Sequence, residues 1–207
     1  MIVQKVYGSD WALPGGDRQS GTRQMEHQNW VTADKVTVSF DIHHDGSSIL
    51  LKYHVHEKQV RAVHTDYNSA VWEDSCVEFF ISTEMDANYY NFEFNTIGTI
   101  LGAYGMDRHQ RTTLPVEVLK KIETVPSLGR DPIEKTGEPV SWTLAVRIPA
   151  AVLINSQVTS LSGLKATGNF YKCGDLLDEP HFLSWKPVLT DKPDFHAPQF
   201  FGKLEFE

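Results

Sequence analysis

Beyond residue 35, apolar and polar positions alternate with a period of two along most of this chain, the pattern of half-buried strands. Residues 36–42 read as a strand that ends at a turn over 44–48. Residues 49–56 follow, with Ile49, Leu51, Tyr53 and Val55 on one face. The Asp45-Gly46 pair between these two runs is a hairpin signal, because both residue types accept the positive φ a tight turn needs. Residues 75–82 set Val77, Phe79 and Ile81 against Cys76, Glu78 and Phe80. Residues 89–98 set Tyr90, Phe92 and Phe94 against Asn91, Glu93 and Asn95, and 99–105 predict the return strand across a glycine. The run 140–149 is a strand closed by proline, and 168–177 and 200–206 complete the set.

Helical periodicity is nearly absent. Residues 114–123 suit either a short helix with Pro115 in its first turn or a strand, and 150–155 suit a single turn. Residues 1–35 are loop-rich, with the clearest turn cluster over 12–21, and 124–140 read as a long exposed loop. Many short strands separated by turn signals predict an all-β fold, an antiparallel β-sandwich of two packed sheets with short helical turns only. At 207 residues the chain is expected to form one domain over 1–207, with 1–35 packed upon it. Trp11 and Trp30 are expected to pin that segment down, and Trp142 and Trp185 to belong to the core or an edge.

Alternation also makes a claim about chemistry. If Val77, Phe79, Phe92 and Phe94 face the core, then Glu78, Glu93 and Asn95 leave the sheet on the other side. By the same rule His54 and His56 oppose Tyr53 and Val55, and Lys172 opposes Tyr171 and Cys173. Acid, amide, imidazole and ammonium groups would share one face if these strands are neighbours. A solvated outer face is the plain alternative. Trp72 at the edge argues for a ligand instead. Sugars present C–H groups that stack on aromatic rings and hydroxyl pairs that carboxylates and amides bind.

Composition narrows the classes further. With 41% hydrophobic and 22% charged residues, the chain can build an ordinary core. A net charge of -8 argues against a nucleic-acid surface. No run approaches the roughly 18–20 apolar residues of a membrane helix, so no membrane partner is expected. Cys76 and Cys173 match no disulfide framework or zinc spacing and read as buried thiols, with a disulfide between them left open. The N-terminal stretch has no charged leader followed by an apolar run. That predicts cytoplasmic residence as the chain stands, or periplasmic or extracellular residence where a leader has been removed.

The runs WEDSCVEFFI (72–81) and YNFEFN (90–95), then SW (184–185) and FHAPQFFGKLEF (195–206), resemble the family 9 carbohydrate-binding modules. Such modules accompany xylanases and also occur in related stand-alone bacterial proteins. The resemblance runs from about residue 30 to the C-terminus and implies a β-sandwich that binds a saccharide without catalysis. It also implies a role in polysaccharide breakdown and a possible association with a glycoside hydrolase. In that family two aromatic rings clamp a sugar, often at a chain end, while an acid, amides and an arginine bind its hydroxyls. The resemblance puts Trp72 at the first ring, Phe195 at the second, Glu78 at the acid and Asn95 at an amide. Glu93 stands where the family has its arginine, and Lys172, near a polar position, would return a positive charge. No cofactor is implied beyond structural calcium, which family members can hold, and no dense Asp/Asn loop marks such a site here.

Two other readings stay open. Glu78 and Glu93 on adjacent strands could serve a small glycoside hydrolase, which uses paired carboxylates. His54 and His56, spaced i and i+2, could hold a metal with Glu78 or Cys76. A haem-binding sandwich is a further variant, although Met85, Met106 and His109 make no convincing axial pair. His181 and His196 lie near the closing pattern and could line the same site.

Overall fold

The computed structural model describes residues 1–6, 22–83 and 88–207. The turn cluster at 12–21, Trp11 and Met85 lie outside the described residues. The N-terminal part contributes β1 (Ile2–Lys5), β2 (Arg23–Gln24) and β3 (His27–Gln28), followed by the hairpin of β4 (Thr37–His44) and β5 (Ser48–Glu57). Next come β6 (Cys76–Thr83), β7 (Tyr89–Asn95), β8 (Ile100–Gly105) and β9 (Arg111–Thr113). A one-turn helix, α1 (Val116–Leu119), precedes β10 (Glu123–Pro126) and β11 (Val140–Pro149). The chain closes with β12 (Lys165–Cys173), β13 (Phe182–Ser184) and β14 (Gly202–Phe206).

One sheet runs β9-β8-β7-β6-β12-β14-β1, with β13 also on β12 and β3 on β13; the other runs β10-β11-β5-β4-β1, with β2 on β4. Strand β1 joins the two, pairing in parallel with β14 through Ile2 and Val3 and with β4 through Gln4 and Lys5. These two parallel pairings are the departure from the wholly antiparallel sandwich expected. Strand β1 and most of β10 fall where the sequence pattern predicts loop. Both are four residues long and mix polar with apolar positions, so their pairing comes from the sheet edge each meets rather than from their own pattern.

The predicted core faces meet between the sheets. Val77, Phe79, Ile81, Phe92 and Phe94 pack with Val38, Phe40, Leu51, Tyr53, Val55 and Leu144, all essentially inaccessible. Phe170 stacks on Phe40 at 3.8 Å and on Phe79 at 4.8 Å, joining one sheet to the other. Burying each such ring stabilises the fold by about 1.5–3 kcal/mol relative to leaving it in water.

Lys172 lies in this interior, not on the outer face. Its register partner is Val77, a core residue, while Tyr171 pairs with Glu78, so Tyr171 and Cys173 face outward. Nζ of Lys172 sits 2.9 Å from Glu57 Oε2, and both side chains are fully buried. Trp142 Nε1 donates to Glu57 Oε1 at 2.7 Å, and Lys172 also donates to the Cys173 carbonyl and to His181 Nε2. Without these partners two buried charges would be untenable. His54 and His56 lie on β5, in the sheet away from Glu78. His54 Nε2 meets Asp41 at 3.0 Å and His56 Nδ1 meets Ser141 Oγ at 2.9 Å. Among the described residues no helix is long and apolar enough to cross a membrane.

Candidate functional site

The outer face of the β6–β7–β12 sheet is covered rather than solvated. Cys76, Phe80, Tyr89, Tyr171 and Cys173 form a second apolar cluster with Val188, Phe195 and Ala197 from the closing segment. Trp30, Trp72, Phe182, Phe200 and Phe201 pack around it. Within that layer is a small pocket of about 80 Å³, lined by Trp30, Trp72, Glu78, Glu93, Arg108, Arg111, Cys173, Asp175, Phe182 and the residues 193–196.

Two acids form part of the pocket's wall. Glu78 and Glu93 are directly opposite each other in the β6–β7 register, and each side chain is about 2–3% exposed. Burial pushes the Glu78 carboxyl well above the ordinary carboxylate range, and neighbouring Glu93 pushes it further, against the Cys173 thiol hydrogen bond. Burial raises Glu93 too, opposed by the Arg111 guanidinium. Glu93 Oε1 accepts from Asn91 Nδ2 at 2.9 Å and from Arg111 Nη1 at 3.5 Å. Its other oxygen, Oε2, is buried and has no hydrogen-bond partner among the described residues. Leaving such an acceptor unpaired costs about 1–3 kcal/mol, which a ligand hydroxyl could recover.

Arg108 and Arg111 reach the pocket from the β8–β9 hairpin. That turn is built by Asp107, whose Oδ1 accepts from the backbone N–H of His109 and Gln110 at 2.7 and 2.8 Å. Gly105 is required beside it, since a Cβ there would lie 2.1 Å from the Gln110 carbonyl oxygen. Arg111 Nη1 donates to His196 Nε2 at 3.1 Å. The other ring nitrogen, Nδ1, therefore carries the proton and donates to the Tyr89 hydroxyl at 2.8 Å. Burial, then the Arg111 and Arg108 charges, depress the His196 pKa to about 3, keeping it neutral. Asp175 is pushed up to about 6 by burial, opposed by Arg108.

The aromatic walls come from distant parts of the chain. Trp72 sits in a 3-10 turn, Val71–Glu73, anchored by buried Asp74. Asp74 accepts from Arg61, from the N–H groups of Val63 and His64, and from Asn95 Nδ2 at 2.9 Å. Asn95 also donates to the His64 carbonyl at 2.8 Å and accepts from Thr99 N–H at 2.9 Å. Its hydrogen-bonding capacity is spent inside the protein, so it holds the Trp72 turn and does not line the pocket. Among the described residues no aromatic ring stacks on Trp72.

Trp30 follows β3, which pairs with β13 and so brings the indole beside Phe182, ring centroids 5.8 Å apart. Its Nε1 donates to the Thr190 carbonyl at 2.7 Å. Phe195 packs between Tyr171, stacked at 4.1 Å, and Trp30, tilted at 5.5 Å. It is 8% exposed, so most of its surface serves packing.

A family model described as carbohydrate-binding family 9 matches residues 17–206. The chain belongs to that family. A solved structure of a candidate carbohydrate-binding protein from Bacteroides uniformis ATCC 8492 is 41% identical, with a TM-score of 0.90, covering 100% of this chain and 98% of that one. Two structures of a family 9 module from Caldicellulosiruptor kristjanssonii share the fold at 13% and 12% identity. One, in complex with glucose, has a TM-score of 0.61 and covers 100% of this chain and 96% of that one. The other, in complex with cellotriose, has a TM-score of 0.64 and covers 100% and 94%. No curated protein matches the chain.

Of the family 9 positions named from sequence, Trp72, Glu78, Glu93 and Phe195 line the pocket, and His196 joins them. Asn95 supports it from behind, while Lys172, His181, His54 and His56 lie elsewhere. In sequence Tyr171 and Cys173 look like core residues, but they are the apolar floor of the pocket layer, and Lys172 is the one buried between the sheets. His54 and His56 lie on the other sheet; alternation gives a face but not a sheet. Trp30, Arg108, Arg111 and Asp175 were missed as pocket residues. Arg111 bears on Glu93, because it brings a guanidinium within 3.5 Å of its carboxylate.

Proposed function

We propose that this pocket binds a single sugar residue, a monosaccharide or the end of a chain, without hydrolysing it. Trp72 and Trp30 supply ring faces for the sugar's C–H groups. Glu78, Glu93 and Asp175 bind its hydroxyls, and Arg111 donates to a ring or hydroxyl oxygen. What supports the reading most is the meeting of two indoles with paired buried acids in one pocket of about 80 Å³. That is well below the roughly 300–1,000 Å³ of a pocket for a drug-sized ligand, and it suits one sugar ring better than an enclosed oligosaccharide.

Binding is favoured over hydrolysis by where the acids stand. Glycosidase carboxylates flank the scissile bond from two sides. Glu78 and Glu93 occupy facing positions on adjacent strands of one sheet, so both approach a bound sugar from the same side. Calorimetric titration with a panel of mono- and oligosaccharides tests this. At least one should bind and lose most of its affinity in Trp72→Ala, with no reducing sugar released. Release that disappears in Glu78→Gln would instead support the hydrolase.

A further inference from the structure

A second constellation lies in the floor of the pocket and plays no part in stacking a sugar. Cys76 on β6 faces Cys173 on β12 in register, and Glu78 is two residues beyond Cys76 and so on the same face. The two sulphurs and a Glu78 carboxylate oxygen all lie within 4.8 Å of one another, and all three residues are buried. Cys173 Sγ already donates to Glu78 Oε1 at 3.0 Å. Both cysteines are free thiols.

The separations bear comparison with a metal site. Zinc binds thiolate sulphur at about 2.3 Å and carboxylate oxygen at about 2.0–2.2 Å. Tetrahedral angles then put neighbouring ligand atoms about 3.5–3.8 Å apart, so small side-chain rotations would close this group on one ion. Two sulphur donors suit zinc or cadmium and not calcium, which takes six to eight oxygens. Calcium, allowed by the family resemblance, therefore does not fit these residues.

We propose that Cys76, Cys173 and Glu78 bind one soft divalent metal ion beneath the pocket, with a fourth coordination position open on the pocket side. Glu78 and Cys173 both line the pocket while Cys76 lies behind them, which gives the site its open direction. On binding, each thiol gives its proton to solvent and a sulphur lone pair to the ion, and the Glu78 carboxyl likewise gives up any proton it carries and binds as carboxylate. Two thiolates and one carboxylate around a divalent ion leave one net negative charge. The rigid backbone of β6 and β12 fixes the ligand spacing in advance, so little ordering is needed.

Cadmium alone is the probe, added to reduced, chelator-treated protein, so the result does not depend on whether a sugar binds. Calorimetry should give one ion per chain, accompanied by thiolate-to-cadmium charge-transfer absorption in the ultraviolet. Zinc should displace it competitively. Cys76→Ser and Cys173→Ser should each abolish the absorption, and Glu78→Gln should weaken binding on the order of tenfold or more. Cadmium NMR of the unmutated protein should report two sulphur ligands, which keeps the test valid if a serine variant fails to fold. Absence of thiolate absorption, or a cadmium signal without sulphur ligation, would overturn the proposal.

Discussion

Glu78 and Glu93 face each other across β6 and β7, almost fully buried, on the side of the sheet turned away from the sandwich interior. Two carboxyls in one desolvated wall oppose folding because ionising both is costly, and among the described residues Arg111 and a few hydrogen bonds offset that cost. Such an arrangement is expected where a ligand supplies the missing partners. Replacing Glu93 by Gln keeps the shape and removes one charge. The variant should melt at or above the wild-type temperature and bind its saccharide about tenfold or more weakly, since a hydrogen bond to a charged group is worth about 1.5–3 kcal/mol. Thermal melts and calorimetry on the same preparation check both halves.

His196 predicts a pH dependence. Its pKa falls from the ordinary 6.5 to about 3 in the folded protein, chiefly through burial and then through Arg111. The unfolded chain therefore takes up a proton on this residue at a pH where the folded chain does not. The stability it confers is fully present above about pH 6.5 and is lost as the pH falls toward 3. His196→Gln removes this linkage, so the gap in denaturation free energy between wild type and variant should narrow from pH 7.5 to pH 5. A gap that stays constant or widens would count against a neutral His196 bonded to Arg111.

Lys172 separates a structural role from a binding one. It holds Glu57 between the sheets with Trp142 and His181 around them. Lys172→Met would leave a carboxylate buried without its counter-charge, at a cost of about 3–5 kcal/mol. Urea denaturation should register that loss. Saccharide affinity of the folded protein should stay within about twofold, because the ammonium does not reach the pocket.

Trp30 should behave in the opposite way. Trp30→Ala should weaken saccharide binding by about 0.5–1.5 kcal/mol or more through the lost ring face. The double variant His54→Ala, His56→Ala should bind as the wild type does, since both imidazoles lie on the other sheet. Parallel titrations of the two proteins decide the point.

The chain's own pattern carried the sandwich and its principal strands, because β4 to β8 and β11 alternate strongly enough to declare a core face. Period two also led to Glu78 and Glu93, whose neighbours Val77, Phe79, Phe92 and Phe94 all point inward. It failed on β12, where both faces are buried and the polar side chain is the one that faces the core. On β12 the aromatic and thiol side chains cover the pocket floor and the lysine enters the core, an inversion no hydropathy pattern encodes. Trp30 and Arg111 were hidden for another reason. Each reaches the pocket through a short strand, β3 or β9, whose pairing depends on a strand already in place.

The central claim is that a sugar stacks on Trp72 and Trp30 in this pocket. Indole N–H signals in a nitrogen-15 NMR spectrum, assigned by single Trp→Phe variants, report on each ring separately. On titration with a binding saccharide, the Trp72 and Trp30 signals should move together along one saturable isotherm, while those of Trp142, buried in the core, and Trp185, partly buried against it, stay in place. A saccharide that binds yet shifts Trp142 or Trp185 and leaves Trp72 and Trp30 unmoved would contradict the account.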